Sequence, residues 1–282
     1  MEPSAGAGTA GSLPGQFDRP GATMSDEVGL KGKVAVVTGA GSKGGGTGTG
    51  KATAVLLARA GARVALVDRH ADRLAETAEL IASEGGTTTS VLADLATAAQ
   101  CDVVADAVIE AFGGIDIVVH NAAAFAGGSL ADTTQEVFDE LVAVNLTVPF
   151  MLSRAALPSM IERGGGSIVF VSSVVALRGP SPPAYATAKA GLAGLTVSLA
   201  TNHGRQGIRA NCVVPGMVAT PMRSQSVKGA GLVDDPAAST ATGVAGDAWD
   251  IAHAVAFLCS PAARHITGVE LPVDGGATKL MR

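Results

Sequence analysis

The sequence predicts an α/β fold in which a doubly wound parallel sheet of about seven strands carries helices on both faces. Two patterns predict it. From Lys33 onward, short β-branched or apolar runs alternate with longer segments of helical periodicity. The runs Val34–Thr38 and Ile115–His120 are almost continuously hydrophobic, which is typical of parallel strands that are buried on both faces.

The predicted elements alternate along the chain. The strands are Val34–Thr38, Arg63–Val67, Thr88–Leu92, Ile115–His120, Ser167–Ser172, Ile208–Val213 and Val269–Pro272. The helices Ala71–Glu84 and Ala99–Phe112 are amphipathic. Their predicted buried faces are Leu74, Ala78 and Ile81 in the first helix, and Val103, Ala107 and Val108 in the second.

Residues 1–29 are rich in Gly, Ala, Pro and Ser and show no apolar periodicity, so we interpret them as a flexible tail. Met24 is an alternative start that the sequence leaves open. Residues 30–282 contain no internal repeat and no break in composition, and we predict that they form a single domain.

Composition excludes several classes of function. The 282 residues carry a net charge of −5, and only 3% are aromatic, so we expect neither a nucleic-acid nor a membrane partner. Cys101, Cys212 and Cys259 are far apart and have no disulfide or zinc spacing, which favours a reducing cytoplasm and no metal site. We find neither an uninterrupted apolar run of about 18 residues nor a secretory signal.

A glycine-rich segment, Thr38–Gly50, lies between the first strand and a helix-like stretch, Lys51–Leu57. Glycines let the backbone approach a pyrophosphate, and the helix N-terminus offers free N–H groups and a partial positive charge. This strand–loop–helix context predicts a dinucleotide site, whereas a flexible linker would rarely connect a buried strand to an Ala/Leu helix.

Asp68 ends the second strand, where a carboxylate accepts hydrogen bonds from the adenosine ribose. It also repels a 2′-phosphate, by about 4 kcal/mol per unit charge at 4 Å and an effective dielectric constant of 20. We therefore predict NAD as the cofactor. Arg69 and Lys43 keep NADP open as the alternative, because either cation can pair with the extra phosphate.

Several motifs occur in a fixed order along the rest of the chain. They are Asp94-Leu95 after strand three, Asn145, Ser167–Ser173, Tyr185-Ala-Thr-Ala-Lys189, Pro215-Gly216, Thr220-Pro221-Met222 and Val273-Asp274-Gly275-Gly276. With the glycine segment, they make the chain from Leu30 to Met281 resemble the classical short-chain dehydrogenase/reductase family. The resemblance implies a Rossmann-like fold and an NAD(P)-dependent oxidoreductase that interconverts a secondary alcohol and a ketone.

The resemblance also implies site residues. The cofactor would be bound by Gly39, Ser42, Thr47, Gly48, Thr49, Gly50, Asp68, Arg69, Asp94, Leu95, Asn121, Ala122, Tyr185, Lys189, Pro215, Gly216, Val218 and Thr220. Two departures from the family pattern are visible. About five extra residues, Lys43–Thr47, lengthen the glycine loop, and Ala123 replaces a glycine after strand four.

Four residues would carry the chemistry. Tyr185 and Lys189 are four apart and share a helix face, so we expect the ammonium group to lower the pKa of the phenol and let it act as acid and base. Ser173 would hold the substrate oxygen. The resemblance implies that Asn145 holds a water molecule against Lys189.

Apolar residues near the ends of the strands predict a pocket for a hydrophobic or alicyclic substrate; they are Phe125, Val174, Val175, Pro182, Met217 and Met222. The Gly/Ala/Ser-rich stretch Val218–Gly246 predicts a mobile lid. The apolar helices Val137–Ile161 and Ala184–His203 predict a homo-oligomer, which the resemblance makes a tetramer. A catalytically idle dinucleotide-binding protein is disfavoured, because both Tyr185 and Lys189 are present.

Overall fold

A computed structural model describes residues 29–42, 46–97, 99–178, 181–221 and 235–280. Its main sheet has seven parallel strands in the order β3-β2-β1-β4-β5-β6-β9. The strands are β1 Val34–Thr38, β2 Arg63–Asp68, β3 Thr87–Leu92, β4 Ile117–His120, β5 Gly166–Val171, β6 Ile208–Pro215 and β9 Glu270–Val273. A second small parallel sheet pairs β7 Val218–Ala219 with β8 Gly246–Asp247.

Seven α-helices flank the strands in the described part of the chain. They are α1 Thr49–Arg59, α2 Ala71–Ser83, α3 Gln100–Phe112, α4 Gln135–Val142, α5 Val148–Glu162, α6 Pro183–His203 and α7 Ala248–Cys259. Helices α3, α5 and α6 contribute to the hydrophobic core on one face of the sheet, and α1, α2 and α7 contribute to the core on the other. The predicted doubly wound sheet with helices on both faces is therefore confirmed.

The strand order locates the functional edge of the sheet. From β1 the chain builds outward through β2 and β3, and it then returns to place β4 on the other side of β1. The strand order therefore reverses between β1 and β4. In open parallel sheets, ligands bind at such a reversal, in the crevice outside the carboxyl ends of the strands.

The predicted buried face of α3 is partly wrong. Val103 is 55% exposed, whereas Cys101, Val104, Ala105 and Val108 are buried. A shift of one position along the helix turns the buried face by about 100°, and Val104 rather than Val103 then meets the sheet. Both residues are apolar, so the local sequence did not distinguish them.

The predicted continuous helix over residues 137–161 is divided by a π-helical turn, Ala143–Thr147. Pro149 at the start of α5 lacks the N–H that would bond to the Asn145 carbonyl in a regular α-helix. The whole helical stretch Gln135–Glu162 is long and apolar enough to pass a test for a membrane span. Length and composition are weak evidence for a span, and Leu152, Ala156 and Met160 of this stretch are fully buried in the hydrophobic core.

An ion-paired carboxylate joins β1, β4 and the end of α5. Asp116 is 2% exposed and accepts hydrogen bonds from Val34 N at 2.9 Å, Arg163 Nη2 at 2.8 Å and Lys33 Nζ at 3.1 Å. Burial alone raises the pKa of Asp116, but these hydrogen bonds outweigh it and hold the pKa below its usual value. The native state therefore stabilises the ionised form.

We predict that Asp116→Asn lowers the free energy of unfolding by about 1–3 kcal/mol at pH 7, because the amide loses both charge-assisted bonds. The folded pKa of Asp116 is lowered, so its contribution is complete above the unfolded pKa of about 3.9 and is lost as the pH falls through the folded value. Urea denaturation of both proteins at pH 7 and below pH 4 measures the difference.

Asp102→Asn is the matched control for this experiment. Asp102 pairs with Arg154 at 3.4 Å, but both side chains are more than half exposed. Such a surface pair contributes about 0–1 kcal/mol. Equal losses of stability in the two variants would contradict the role given to Asp116.

Candidate active site

A cleft of about 670 Å³ opens at the carboxyl ends of β1, β2, β4, β5 and β6. It gathers most of the residues that the sequence singled out. Those that line it are Gly39, Ser42, Gly48, Thr49, Gly50, Asp68, Arg69, Asp94, Leu95, Asn121, Ala122, Phe125, Ser173, Val174, Val175, Tyr185, Lys189, Pro215, Gly216, Met217, Val218 and Thr220.

The glycine loop is packed tightly against the end of β4. Gly39 has a φ of +65°, and a methyl group on it would lie 2.9 Å from Ala122 Cα. A methyl group on Gly50 would overlap the carbonyl oxygen of Gly39. Asn121 Nδ2 donates to the carbonyl oxygens of Thr38 at 3.2 Å and Gly39 at 3.1 Å. At Gly39 and Gly50, two glycines that the sequence assigns to the cofactor site, the backbone therefore packs too closely to leave room for a side chain.

The same loop has the features that a pyrophosphate needs. Helix α1 begins at Thr49, and the first-turn N–H groups of a helix are not used within it. Ser42 Oγ is buried, has no partner among the described residues and lies 3.3 Å from the position of a Cβ on Gly48. A buried hydroxyl without a partner at a helix N-terminus fits a dinucleotide phosphate.

Asp68 is held rigidly beside this loop. Its Oδ2 accepts from Gly41 N and its Oδ1 from His70 N, both at 3.1 Å. A methyl group on Gly41 would lie 2.6 Å from Arg73 Cβ and 2.9 Å from Asp68 Oδ2. Arg73 lines the cleft together with the exposed Arg69, so one carboxylate and two cations lie at this end.

The end of β3 closes the same side of the cleft. Ala93 N donates to the Asp68 carbonyl oxygen at 3.0 Å, which ties the segment after β3 to the end of β2. The Asp94 side chain accepts from Ala96 N at 3.0 Å. Asp94 and Leu95 both line the cleft, as the resemblance implies for residues beside an adenine ring.

Tyr185 lies in the apolar half of the cleft. It is 8% exposed, and its ring meets that of Phe125 edge to face at a centroid distance of 5.1 Å. Burial raises the pKa of Tyr185 to about 12, and the neighbouring Ser173 side chain only partly opposes this rise. The expectation that Lys189 lowers this pKa is therefore wrong for the structure described here, since desolvation outweighs every favourable contact of the phenol.

Lys189 lies one helical turn beyond Tyr185 and is 3% exposed. Its Nζ donates to the carbonyl oxygen of Val171 at 2.8 Å and lies 5.8 Å from the centre of the Tyr185 ring. Burial lowers the pKa of Lys189 to about 8. Ser172 Oγ donates to the Lys189 carbonyl oxygen at 3.0 Å. Two bonds thus fasten this part of α6 to the end of β5.

Asn145 is placed by the π-helical turn and is fully buried. Its Nδ2 donates to the carbonyl oxygens of Leu141 at 2.8 Å and Ala124 at 2.9 Å. Its Oδ1 is buried and has no partner among the described residues. A buried acceptor without a partner costs free energy, so Asn145 offers a place for one hydrogen-bond donor.

Not every predicted residue reaches the cleft. Thr47 and Pro182 are not among the residues that line it, and Asn145 lies behind its surface. Met222 and residues 222–234 of the predicted lid lie outside the described residues, as do Lys43 and residues 1–28. Sequence reasoning missed Arg73 and Glu140, which also line the cleft. Arg73 follows Asp68 closely, in the first turn of the next helix, and that position could have indicated that it lies near the cleft.

No group of three or more His, Cys, Asp or Glu side chains within the described ranges has a metal-binding arrangement. His120 illustrates the structural use of histidine here. It is buried, stacks on Phe170 at 4.9 Å and shares a hydrogen bond with Ser153 Oγ at 2.8 Å. Burial, with the charge of Lys189, lowers its pKa to about 3, so the ring stays neutral.

Comparison with known proteins agrees with this geometry. A family model described as enoyl-(acyl carrier protein) reductase matches residues 44–278. An uncharacterized short-chain type dehydrogenase/reductase from Sinorhizobium fredii is 38% identical over 251 residues, which are 88% of this chain and 98% of that protein.

Two solved structures show the same fold with cofactors. A candidate 2-deoxy-D-gluconate 3-dehydrogenase from Agrobacterium tumefaciens with bound NADP is 33% identical, with a TM-score of 0.81 over 90% of this chain and 100% of that one. A 7α-hydroxysteroid dehydrogenase in complex with NADH and 7-oxo glycochenodeoxycholic acid is 31% identical, with a TM-score of 0.83 over 93% of this chain and 100% of that one. This chain belongs to the short-chain dehydrogenase/reductase family, whose members are oxidoreductases that act on CH–OH groups with NAD(P).

Proposed function

We propose that this protein is an NAD(H)-dependent oxidoreductase that interconverts a secondary alcohol and a ketone. The observation that carries the proposal is that Ser173, Tyr185 and the buried Lys189 line the same cleft, with the Lys189 ammonium group 5.8 Å from the centre of the Tyr185 ring. The hydroxyl groups of Ser173 and Tyr185 can both form hydrogen bonds with a substrate oxygen, and that oxygen must gain or lose a proton in the reaction. The nicotinamide, when bound, supplies the acceptor or donor of the hydride.

The proton chemistry would fall to the residues of the chain. Ser173 holds the substrate oxygen, and the Tyr185 hydroxyl gives a proton to it in reduction and takes one from it in oxidation. Lys189 alone does not lower the pKa of the phenol, so its positive charge would act together with that of an oxidised nicotinamide to favour the ionised form when the alcohol is oxidised. Asn145 Oδ1 can accept a hydrogen bond from a water molecule that links Lys189 to solvent.

We infer a preference for NAD from the way Asp68 is held. Backbone N–H groups fix both of its carboxylate oxygens, so the charge cannot easily swing away from an adenosine 2′-phosphate. Ribose hydroxyls can still donate to it. Arg69 and Arg73 are the residues that an NADP-dependent ketoreductase would use instead.

The substrate class follows from the apolar half of the cleft. Phe125, Val174, Val175 and Met217 line it near Tyr185, and Val144 adds a further apolar side chain. This lining suits a hydrophobic or alicyclic alcohol or ketone. We further propose a reducing, cytoplasmic location, which the three buried free cysteines favour.

We also propose a homotetramer in which α5 and α6 pack against a second copy of the chain. Phe150 on α5 and Val197 on α6 are each 52% exposed. Between these helices lies a shallow groove of about 470 Å³, and its lining is mostly apolar: Leu146, Thr147, Phe150, Leu195, Ser198 and two glycines. Two copies of such an apolar face can cover each other.

Tyr185→Phe tests the acid/base role. We expect turnover to fall by about 10²–10⁴-fold, because the ring remains but the transferable proton is lost. NADH binding, followed by fluorescence, should be retained. In the native enzyme, the rate of alcohol oxidation should rise with pH and the rate of ketone reduction should fall. The reason is that the raised pKa of Tyr185 keeps the ionised phenol, which acts as the base, scarce at neutral pH.

Thr187→Ala serves as the control for this substitution, because Thr187 is exposed on the same helix. Its activity should equal that of the native enzyme. Near-native turnover of Tyr185→Phe with any alcohol or ketone would refute the assignment.

Asp68→Ala tests the cofactor preference. Removing the carboxylate relieves the repulsion of a 2′-phosphate, so we expect the ratio of kcat/KM for NAD to that for NADP to fall by about 100-fold or more. Asp72→Ala removes the same charge from an exposed position on α2 and should leave the ratio unchanged. A native enzyme that prefers NADP would overturn the role of Asp68.

Phe150→Arg tests the assembly. A charge on this face is costly to bury. Light scattering should therefore give the native protein the molar mass of four chains and the variant a smaller molar mass. Leu92→Arg places the same charge on a residue that is 62% exposed at the edge of the sheet, and should not change the mass. A native monomer would contradict the proposal.

A further inference from the structure

The turn that follows β9, Asp274–Ala277, is called here the C-terminal turn. Its two glycines have φ values of +58° at Gly275 and +80° at Gly276. The Asp274 carboxylate accepts from Gly276 N at 2.9 Å and Thr278 N at 2.8 Å. Burial alone raises the pKa of Asp274, but these backbone bonds outweigh it and keep the pKa low. The turn is therefore locked by an ionised side chain.

One side of the C-terminal turn packs against the wall of the cleft. Gly216 N donates to the Val273 carbonyl oxygen at 2.9 Å. A methyl group on Gly216 would lie 2.7 Å from Asp274 Cα, so the two backbones are in direct contact. Gly216 begins the stretch Gly216–Pro221, five of whose residues line the cleft.

The opposite side of the C-terminal turn holds the segment Thr240–Thr242. The Gly275 carbonyl oxygen accepts from Ala241 N at 2.8 Å and Thr242 N at 3.2 Å. A methyl group on Gly275 would lie 2.9 Å from Thr240 Cβ. This segment leads into β8, which pairs with the cleft residue Val218.

A third contact reaches the segment that follows Ser173. Arg178 Nη1 donates to the Ala277 carbonyl oxygen at 3.1 Å. The Arg178 backbone N–H donates to the Val174 carbonyl oxygen at 2.9 Å. Val174 and Val175 both line the apolar half of the cleft. The C-terminal turn thus touches two separate stretches of cleft wall and the segment that leads into β8.

We propose that the C-terminal turn, through Gly275 and the Arg178–Ala277 hydrogen bond, is a positioning element that sets the affinity of the cleft for substrate and cofactor. It fixes the distance between Gly216–Pro221 on one side and Val174–Val175 on the other. The effect on substrate affinity rests on the function proposed above. The effect on how rigidly the cleft wall is held does not depend on that function.

Tyr185 and Lys189 are held by other contacts. Lys189 is bonded to Val171, and Ser172 is bonded to the Lys189 backbone, so α6 is fastened to β5. Disturbing the C-terminal turn should therefore raise KM and leave kcat at saturation nearly unchanged. A mutation of this kind removes binding rather than transition-state stabilisation.

Gly275→Ala is the test, with Gly268→Ala as its matched control. Both glycines have positive φ, but a methyl group on Gly268 meets nothing closer than Ala200 Cβ at 3.5 Å. Both variants carry backbone strain, and only Gly275→Ala displaces Thr240. We expect KM for the alcohol and Kd for NADH to rise by about tenfold in Gly275→Ala, with kcat within about twofold of native. In Gly268→Ala only Tm should fall.

Amide hydrogen exchange, measured on the protein without ligand, gives a second readout that does not depend on enzymatic turnover. Amides in 216–220 should exchange about tenfold faster in Gly275→Ala than in Gly268→Ala. Arg178→Ala, an exposed position, provides a variant that should fold even if Gly275→Ala does not, and its KM should rise several-fold. A native protein without turnover would refute the proposed function, while the exchange comparison would still decide this inference.

Three results would overturn the inference. The first is equal exchange of 216–220 in Gly275→Ala and Gly268→Ala. The second is a KM for Gly275→Ala that matches the control. The third is an unchanged KM for Arg178→Ala.

Discussion

The fastening of α6 to the end of β5 is the constraint on which the site depends. The Lys189 ammonium group gives a hydrogen bond to the Val171 carbonyl, and the Ser172 hydroxyl gives one to the Lys189 carbonyl. Both contacts are buried. Because a helix is rigid over one turn, they also fix Tyr185, four residues earlier, against Phe125 and beside Ser173. Together with the edge-to-face packing on Phe125, they give the phenol its place in the cleft.

Burial then acts on the two ionisable groups in opposite directions. It raises the pKa of Tyr185 to about 12 and lowers that of Lys189 to about 8. Both shifts favour the neutral forms, which is what desolvation does in the absence of a compensating charge. The phenol therefore carries its proton at neutral pH, and acting as a base towards a substrate needs further positive charge close to it. An oxidised nicotinamide would bring that charge.

Much of the architecture was predictable because the inner strands β1, β2, β4, β5 and β6 are largely buried on both faces. Val34–Thr38 has the predicted bounds, and the other six strands of the main sheet lie within two residues of theirs. Tertiary packing decided what the sequence left open. Val103 and Val104 are equally apolar, and only contact with the sheet selects Val104.

The sequence predicted which residues form the site better than it predicted the contacts that those residues make. Motif spacing identified Asp68 and Tyr185, but it carries no information on desolvation, so the direction of the Tyr185 pKa was wrong. The contacts of Arg73 with the glycine loop and of Gly275 with Thr240 join residues far apart in sequence. Only the folded chain shows them.

Tyr185 is the only tyrosine in the chain, so the absorbance of tyrosinate reports its ionisation directly. A spectroscopic titration of the protein with and without oxidised NAD tests whether the site can make this phenol a base. We expect no more than about a tenth of the phenol to be ionised at pH 11 in the free protein, and a titration shifted down by a unit or more with NAD bound. Identical titration curves in the two states would contradict the account.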